Sequence, residues 1–283
     1  MKVIKTIKEV RKIVNVLKKE GKTIGFVPTM GALHQGHFSL IAAAKEKCDY
    51  AVISIFVNPT QFDQADDFRR YPRNLEKDLK LARQAGVDLI FTPDVSELYP
   101  EEQLSWVRVR KMSDGLCGRS RTGHFQGVAT VVMKLFNIVQ PDIALFGQKD
   151  AQQAQIIKKM VRDLNTDIKI DILPIVREED GLAISSRNSY LNSRERKAAL
   201  ILYSSLKEAS SLIKSGEKST DTIIRKIRYL IKKEPLAKID YIEIVDPESL
   251  APVKKIKKEV LITLAVWIGK ARLIDNLKAR GEN

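Results

Sequence analysis

The sequence predicts an α/β protein in which a doubly wound parallel sheet forms the N-terminal domain and a smaller α+β domain follows. Short β-rich runs alternate with helical runs up to about residue 176, which is the pattern of parallel β-α-β units. The alternation stops in a polar, strand-free stretch, "REEDGLAISSRNSYLNSRERK". Helical runs followed by strands close the chain. We therefore expect domains at residues 1–180 and 181–283, the second closing over a site on the first.

The predicted elements of the first domain begin with an amphipathic helix in "MKVIKTIKEVRKIVNVLKKEG", where apolar residues recur at helical spacing. Strands are expected in "TIGFV", "YAVISIFV", "VDLIFTP", "PDIALFG" and "DIKIDILPIV". Helices are expected in "HFSLIAAAKEKC", in "NLEKDLKLARQAG" with Asn74 as its N-cap, in "TGHFQGVATVVMKLFNIVQ" and in "DAQQAQIIKKMVRDLN".

The second domain is expected to contain two helices, of which the first is capped by Asn192 together with Glu195. Three strands then follow in "IDYIEIV", "VLITLAV" and "ARLID". Helices followed by strands are typical of an α+β domain.

Composition limits the class of protein. A chain of 283 residues with 44% hydrophobic content can bury a sizeable core. Cys48 and Cys117 stand in no paired metal-binding spacing, so we expect two reduced thiols. The chain has neither a signal peptide pattern nor the roughly 18 uninterrupted apolar residues of a membrane span. We therefore expect a cytoplasmic protein that does not bind membranes.

The net charge of +14 raises the possibility of nucleic-acid binding. Most of the excess is lysine on helical spacing near the C-terminus, as in "RKIRYLIKK", which is typical of a solvated helix face. Aromatic residues make up only 6% of the chain and are not interleaved with the basic ones. We expect no nucleic-acid partner, although a basic surface also attracts anionic small molecules.

The loop "PTMGALHQGH" carries two of the three histidines of the chain, His34 and His37. It follows a predicted strand and leads into a helix near Gly36 or His37, so it should face the ligand crevice of a parallel sheet. The N–H groups of a helix N-terminus suit phosphate, and two imidazoles can donate to a phosphoryl group. Two alternatives remain open: a metal site, which would need His124 as a third ligand, or two buried core histidines.

Further polar clusters follow other predicted strands. "FVNPTQF" places Asn58 and Gln61 after one strand, and "FGQKDAQQ" places Lys149, Asp150 and Gln153 after another. In an open parallel sheet the ends of such strands converge on one crevice. Neither "GxxxxGK[ST]" nor "GxGxxG" occurs, so any phosphate is bound by another kind of loop.

Taken together, the motifs resemble those of a known family. "PTMGALHQGH", "FVNPTQF", "YPR", "GHFQGVATVV", "FGQKDAQQ", "GLAISSRN" and "GKARLIDN" occur in the order and spacing of the pantothenate synthetases, also called pantoate–β-alanine ligases. The similarity runs essentially end to end, whereas "HQGH" alone indicates only the wider superfamily of HxGH nucleotidyltransferases. The resemblance implies a Rossmann-like fold, a homodimer, and the use of ATP and magnesium. It implies that pantoate and ATP form an enzyme-bound pantoyl adenylate, which β-alanine converts to pantothenate and AMP.

The resemblance also implies roles for individual residues. His37, Lys149 and His34 are expected to be catalytic, and Gln61 and Gln153 to bind pantoate. The expected ATP-binding residues are Met30, Gly31, His34, His37, Gly147, Lys149, Asp150, Val176, Ser185, Ser186 and Arg187. The family often has consecutive carboxylates after "YPR", where this chain has Lys77 beside a lone Asp78, and often glutamate at Gln35. Asp78 is thus the one protein group that the resemblance associates with magnesium, the ion being held mainly by ATP phosphates and water.

Two other functions are distinguishable from this ligation. A nucleotidyltransferase of the same superfamily would transfer a nucleotide and would have no need for β-alanine. A nucleic-acid-binding module would bind RNA in a salt-sensitive manner and would release no pyrophosphate.

Overall fold

The protein, described by a computed structural model over residues 1–63 and 65–281, contains one parallel and one antiparallel sheet. The strands are β1 Lys2–Ile4, β2 Ile24–Thr29, β3 Tyr50–Ile55, β4 Leu89–Phe91, β5 Ile143–Gly147, β6 Lys169–Leu173, β7 Ala237–Val245, β8 Val260–Ile268 and β9 Ala271–Ala279. The helices are α1 Ile7–Lys19, α2 Gln35–Lys47, α3 Ala65–Arg70, α4 Leu75–Gln84, α5 Val95–Leu98, α6 Cys117–Ser120, α7 His124–Val139, α8 Ala151–Asp163, α9 Ser193–Ala198, α10 Ile201–Lys214 and α11 Thr220–Lys232.

The chain divides into two compact units. The N-terminal unit comprises Met1–Asp114, Gly118–Gly147 and Ile156–Pro174, and the C-terminal unit comprises Gly115–Cys117, Gln148–Gln155 and the chain from Ile175 onward. The boundary between residues 180 and 181 expected from the sequence stays a prediction.

The N-terminal unit contains the six-stranded sheet, in which all strands are parallel and the order is β1-β4-β3-β2-β5-β6. From β2 the chain continues to β3 and β4 on one side, and later to β5 and β6 on the other. The carboxyl end of β2 is therefore the topological switch point, where open α/β sheets bind ligands. The doubly wound parallel sheet is thus confirmed.

The N-terminal helix prediction is wrong for its first residues. Lys2–Ile4 form an edge strand paired with Leu89–Phe91 of β4, and α1 begins at Ile7 after Thr6, whose hydroxyl accepts the N–H of Glu9. A three-residue strand is too short to show alternation, so its apolar residues continue the helical pattern by chance.

The C-terminal unit contains the antiparallel sheet β7-β8-β9, with α10 and α11 packed on it. Ile223, Ile227 and Ile231 of α11 recur every fourth residue and are fully buried, and burying each side chain contributes about 1.5–3 kcal/mol. The three predicted strands are confirmed, as is the cap formed by Asn192 and Glu195.

Within residues 181–281, three helices rather than the predicted two precede these strands. α9 ends at Ala198, and the N–H of Leu202 bonds to the carbonyl of Ala199 instead of continuing the α-helical ladder into α10. Neither glycine nor proline marks this break, which explains why the sequence pattern did not show it. None of the helices in the described ranges is long and apolar enough to cross a membrane.

Candidate active site

The histidine loop, residues 29–37, leaves the carboxyl end of β2 at the switch point of the parallel sheet. His34 is the N-cap of α2, which begins at Gln35, slightly before the predicted position. His34 has extended backbone, with φ −147° and ψ 177°, and its carbonyl accepts the N–H groups of His37 and Phe38 at 2.8 and 3.1 Å. The N-terminus of α2 is therefore directed at the edge of the sheet where ligands bind.

The two histidines cap the helix reciprocally. The backbone N–H of Gly36 donates to Nδ1 of His34 at 3.2 Å, and the backbone N–H of His34 donates to Nδ1 of His37 at 3.3 Å. The ring centroids lie 4.1 Å apart. Because each Nδ1 is an acceptor, each neutral ring carries its proton on Nε2. The pair thus presents two imidazole donors of fixed tautomer beside the N–H groups of the helix.

Asp78 of α4 holds the preceding part of the same loop. Its carboxylate accepts the backbone N–H groups of Ala32 and Leu33 at 2.9 and 2.8 Å, and the side chain is only 3% exposed. Gly31 has φ +81°, and a Cβ built there would lie 2.8 Å from Oδ2 of Asp78. Glycine at this position therefore provides both the left-handed backbone and the room for the carboxylate.

The geometry does not fit a magnesium site at Asp78. Both of its oxygens already accept backbone N–H groups in a buried setting, whereas Mg²⁺ keeps several water ligands and needs carboxylates that it can reach. Over residues 1–63 and 65–281 there is no group of three His, Cys, Asp or Glu side chains that could hold a metal ion. Asp78 fits the role of a loop anchor instead.

The structure does not support the alternative in which His34 and His37 bind a metal ion with His124 as third ligand. His124 does not join His34 and His37: its Nδ1 lies 2.7 Å from the carbonyl of Gln61, and its Nε2 lies 3.0 Å from Nη1 of Arg121. The guanidinium can only donate, so Nδ1 carries the proton and donates to Gln61. His124 thus fixes the backbone of Gln61.

Gln61 lies in a short 3-10 turn after β3, and it is 7% exposed. Its Oε1 accepts Nδ2 of Asn58 at 3.1 Å, and its Nε2 lies 2.9 Å from the sulfur of Met30 in the histidine loop. Tyr99 donates its hydroxyl to Oδ1 of Asn58 at 3.0 Å, and burial raises the pKa of Tyr99, which keeps it a donor. The orientation of the Gln61 amide is therefore set by a chain of polar contacts.

Gly127 allows α7 to approach this turn closely. A Cβ built at Gly127 would lie 2.3 Å from the carbonyl oxygen of Thr60, and Nδ2 of Asn58 donates to the Gly127 carbonyl at 3.2 Å. The motif "GHFQG" therefore supports the Gln61 turn through two of its residues. The sequence alone did not show this role.

The C-terminal unit contains a second cluster, built around the lysine turn, residues 148–150. These residues form a 3-10 turn at the start of α8. Lys149 lines an open pocket with Ser185, Arg187 and Arg272, and the guanidinium of Arg272 is paired with Asp240 at 2.6 Å. Asp275 also lines it, but its carboxylate is paired with Arg177 at 2.7 Å. The cationic lining suits an anion such as a phosphate group.

The other predicted residues of this unit are placed as follows. Ser185 caps the 3-10 turn Ser186–Tyr190 by accepting the N–H of Arg187 at 3.2 Å. The carbonyl of Val176 accepts the N–H of Ile184 at 3.0 Å, and Nζ of Lys149 lies 3.6 Å from the carboxylate of Asp150. The structure thus brings Lys149, Ser185 and Arg187 together.

Gly147 and Gln153 stand at the ends of elements. Gly147 is the last residue of β5, and Gln153 lies half-buried in the first turn of α8. The neighbouring Gln152 is structural: it accepts the N–H of Cys117 at 3.0 Å and donates to the carbonyl of Gly115 at 2.8 Å.

Comparison with known proteins gives full-length similarities. The family model for pantoate-beta-alanine ligase matches residues 2–278. A pantothenate synthetase of Thermoanaerobacter sp. (strain X514) is 56% identical over 277 residues, which are 98% of this chain and 98% of that protein. The crystal structure of pantothenate synthetase from Thermus thermophilus has a TM-score of 0.93 at 42% identity, covering 98% of this chain and 99% of the other.

A pantoate-beta-alanine ligase from Francisella tularensis, crystallised in complex with beta-gamma ATP and beta-alanine, is also similar. Its TM-score is 0.81 at 37% identity, covering 98% of this chain and 97% of that one. Together with the histidine loop at the switch point of the parallel sheet, these similarities show that the chain belongs to the pantoate–β-alanine ligase family.

Proposed function

We propose that this chain joins pantoate to β-alanine at the expense of ATP. A carboxylate oxygen of pantoate attacks the α-phosphorus of ATP, and the bond to pyrophosphate breaks. The amine of β-alanine then attacks the acyl carbon of the pantoyl adenylate, and AMP leaves as pantothenate forms. The full-length family match carries this proposal, and the Francisella tularensis relative was crystallised with beta-gamma ATP and beta-alanine.

The chemistry needs no covalent intermediate on the protein. Its residues position two substrates in line and supply positive charge where the phosphoryl group becomes more negative. The Nε2–H groups of His34 and His37 and the ammonium group of Lys149 are donors of this kind. We assign them as the catalytic residues.

The remaining assignments follow the motifs of the family. Gln61 and Gln153 bind pantoate through their amide groups. The ATP-binding residues are Met30, Gly31, His34, His37, Gly147, Lys149, Asp150, Val176, Ser185, Ser186 and Arg187. Two structural features support these ATP-binding assignments. The histidine loop presents the N–H groups of a helix N-terminus, and Lys149, Ser185 and Arg187 line one cationic pocket.

Three further features belong to the same proposal. Magnesium accompanies the phosphates of ATP and is held by them and by water, since the described residues offer no set of protein ligands. The chain acts as a homodimer, and it acts in the cytoplasm.

The proposal is tested by measuring pyrophosphate release from ATP with pantoate, in the presence and absence of β-alanine. We expect pantoate-dependent release, with AMP and pantothenate formed together when β-alanine is added. Nucleotide transfer without any requirement for β-alanine would favour a simple nucleotidyltransferase. Tight, salt-sensitive RNA binding without pyrophosphate release would favour a nucleic-acid-binding protein.

A further inference from the structure

The motif "GKARLIDN" contributes an asparagine that holds the lysine turn by its backbone. Asn276 of β9 is 2% exposed, and its Nδ2 donates to the carbonyl of Gln148 at 2.9 Å and to the carbonyl of Lys149 at 3.0 Å. Its Oδ1 accepts Nε2 of Gln148 at 3.2 Å. Both amide hydrogens and the amide oxygen are thus engaged by two consecutive residues, which fixes the orientation of the amide.

A buried ion pair supports Asn276 from behind. The carboxylate of Asp275, 2% exposed, accepts the backbone N–H of Asn276 at 2.8 Å and two guanidinium hydrogens of Arg177 at 2.7 and 2.8 Å. Arg177 also stacks over the ring of Tyr203 at 3.8 Å and donates to the carbonyl of Gly181 at 3.1 Å. Asn276 is therefore held rigidly, and it transmits that rigidity to the lysine turn.

We propose that Asn276 is a positioning residue for Lys149, a role that rests on the catalytic function assigned to Lys149 above. A lysine side chain has four rotatable bonds, so the position of its ammonium group depends on how firmly its own backbone is fixed. Asn276 fixes the backbone carbonyl of Lys149 itself, and Lys149 lines the cationic pocket. A displacement of about 1 Å at a reacting centre can cost roughly 100-fold in rate.

A double-mutant cycle tests this role. We expect Asn276→Ala to lower kcat for pantoate-dependent pyrophosphate release roughly 10- to 100-fold, with the KM for ATP changing much less. In a Lys149→Ala background, the same substitution should lower kcat no further than about twofold, because its effect acts through the missing ammonium group. Independent, multiplicative losses in the two backgrounds would overturn the proposal.

Two further variants separate positioning from a loss of stability. Leu277→Ala alters the next residue of β9, which packs against the core of the same unit, and should lower the Tm while leaving kcat near that of the parent protein. Asn276→Ser keeps one donor and should give an intermediate kcat, even if Asn276→Ala does not fold. A kcat of Asn276→Ser equal to that of the parent protein would overturn the proposal. It would also be overturned if Leu277→Ala lost as much kcat as the Asn276 variant at a temperature where both variants are folded.

The cycle also separates this proposal from the proposed function. If Lys149→Ala is defective and both Asn276 variants turn over normally, the positioning role alone is wrong. If Lys149→Ala turns over normally, the catalytic assignment of Lys149 is wrong, and the positioning role is wrong with it.

Discussion

In the N-terminal unit, a carboxylate holds the histidine loop, whereas in the C-terminal unit a neutral amide holds the lysine turn. Asp78 accepts two consecutive backbone N–H groups, and Asn276 donates to two consecutive carbonyls. In both cases a buried side chain from a distant element fixes the backbone that carries the proposed catalytic group.

The difference follows from what each backbone segment presents. The histidine loop has positive φ at Gly31 and Ala32 and turns N–H groups inward, so its buried partner must be an acceptor. The lysine turn presents carbonyls, and a neutral donor satisfies them without adding a charge beside the ammonium group. Losing the charged anchor should therefore cost more stability than losing the neutral one.

Removal of the Lys149 ammonium group is expected to have the largest effect on the reaction. Lys149→Ala should cost about 2.7–4 kcal/mol of transition-state stabilisation, because one preorganised donor to the phosphoryl group is lost. Pyrophosphate release under saturating ATP and pantoate is the measurement. Lys159→Ala removes the same charge from a half-buried position of α8, where the lysine pairs with Asp163, and is the matched control. Near-normal turnover of the Lys149 variant would refute the assignment.

Removal of the charged anchor should act on stability. Asp78→Ala leaves the N–H groups of Ala32 and Leu33 without their acceptor, and we expect the free energy of unfolding to fall by about 2–3 kcal/mol. Urea denaturation measures this, with Asn276→Ala compared in parallel. Glu76→Ala, an exposed acid in the same helix turn, should change stability by less than about 0.5 kcal/mol. An Asp78 variant as stable as the Glu76 variant would contradict the anchoring role.

A third test concerns Gln61, whose amide is oriented by neutral partners and contacts Met30 of the histidine loop. Gln61→Ala should raise the KM for pantoate about tenfold, or about 1.4 kcal/mol, with little change in the KM for ATP. Steady-state kinetics with each substrate varied in turn is the measurement, and Gln103→Ala serves as a control elsewhere in the same unit. A larger rise for ATP than for pantoate would count against the assignment.

The smallest expected effect is on stability, and it distinguishes the helix-capping role of His37 from its proposed catalytic role. Glutamine at this position can still accept a hydrogen bond from the backbone N–H of His34. The free energy of unfolding of His37→Gln should therefore be about 0.5–1 kcal/mol higher than that of His37→Ala. Both variants should lose catalytic activity, because both lack the imidazole Nε2–H. Thermal unfolding and pyrophosphate release are measured on the same preparations. Equal stabilities of the two variants would show that the reciprocal cap contributes little.

Much of the fold could be predicted from local patterns, since strand and helix periods and capping residues act over a few positions. Asn74 and the pair Asn192 and Glu195 cap their helices as predicted. The edge strand β1 could not be predicted, because its pairing with β4 joins residues far apart in the chain and its three residues carry no period.

The sequence points to candidate reactive groups of the site, and it does not point to the residues that support them. His34, Gln61 and Lys149 follow strands and stand out by residue type, whereas Asp78 and Asn276 act on backbones 45 or more residues away. One signal was present for Asp78. It lies four residues before Ala82 on the buried face of α4, where a carboxylate has to be paired.

The discontinuous course of the chain through the C-terminal unit limits how this protein can be divided. That unit includes Gln148–Gln155 and Gly115–Cys117 as well as the chain from Ile175 onward. A fragment expressed from Ile175 would leave the Asn276 amide hydrogens without their carbonyl partners, and a protease cut after Gly147 would detach the lysine turn from its own strand while leaving it bonded to β9. Reconstitution of the protein from two fragments should therefore succeed only when both fragments are present and the break lies outside Gly115–Cys117 and Gln148–Gln155.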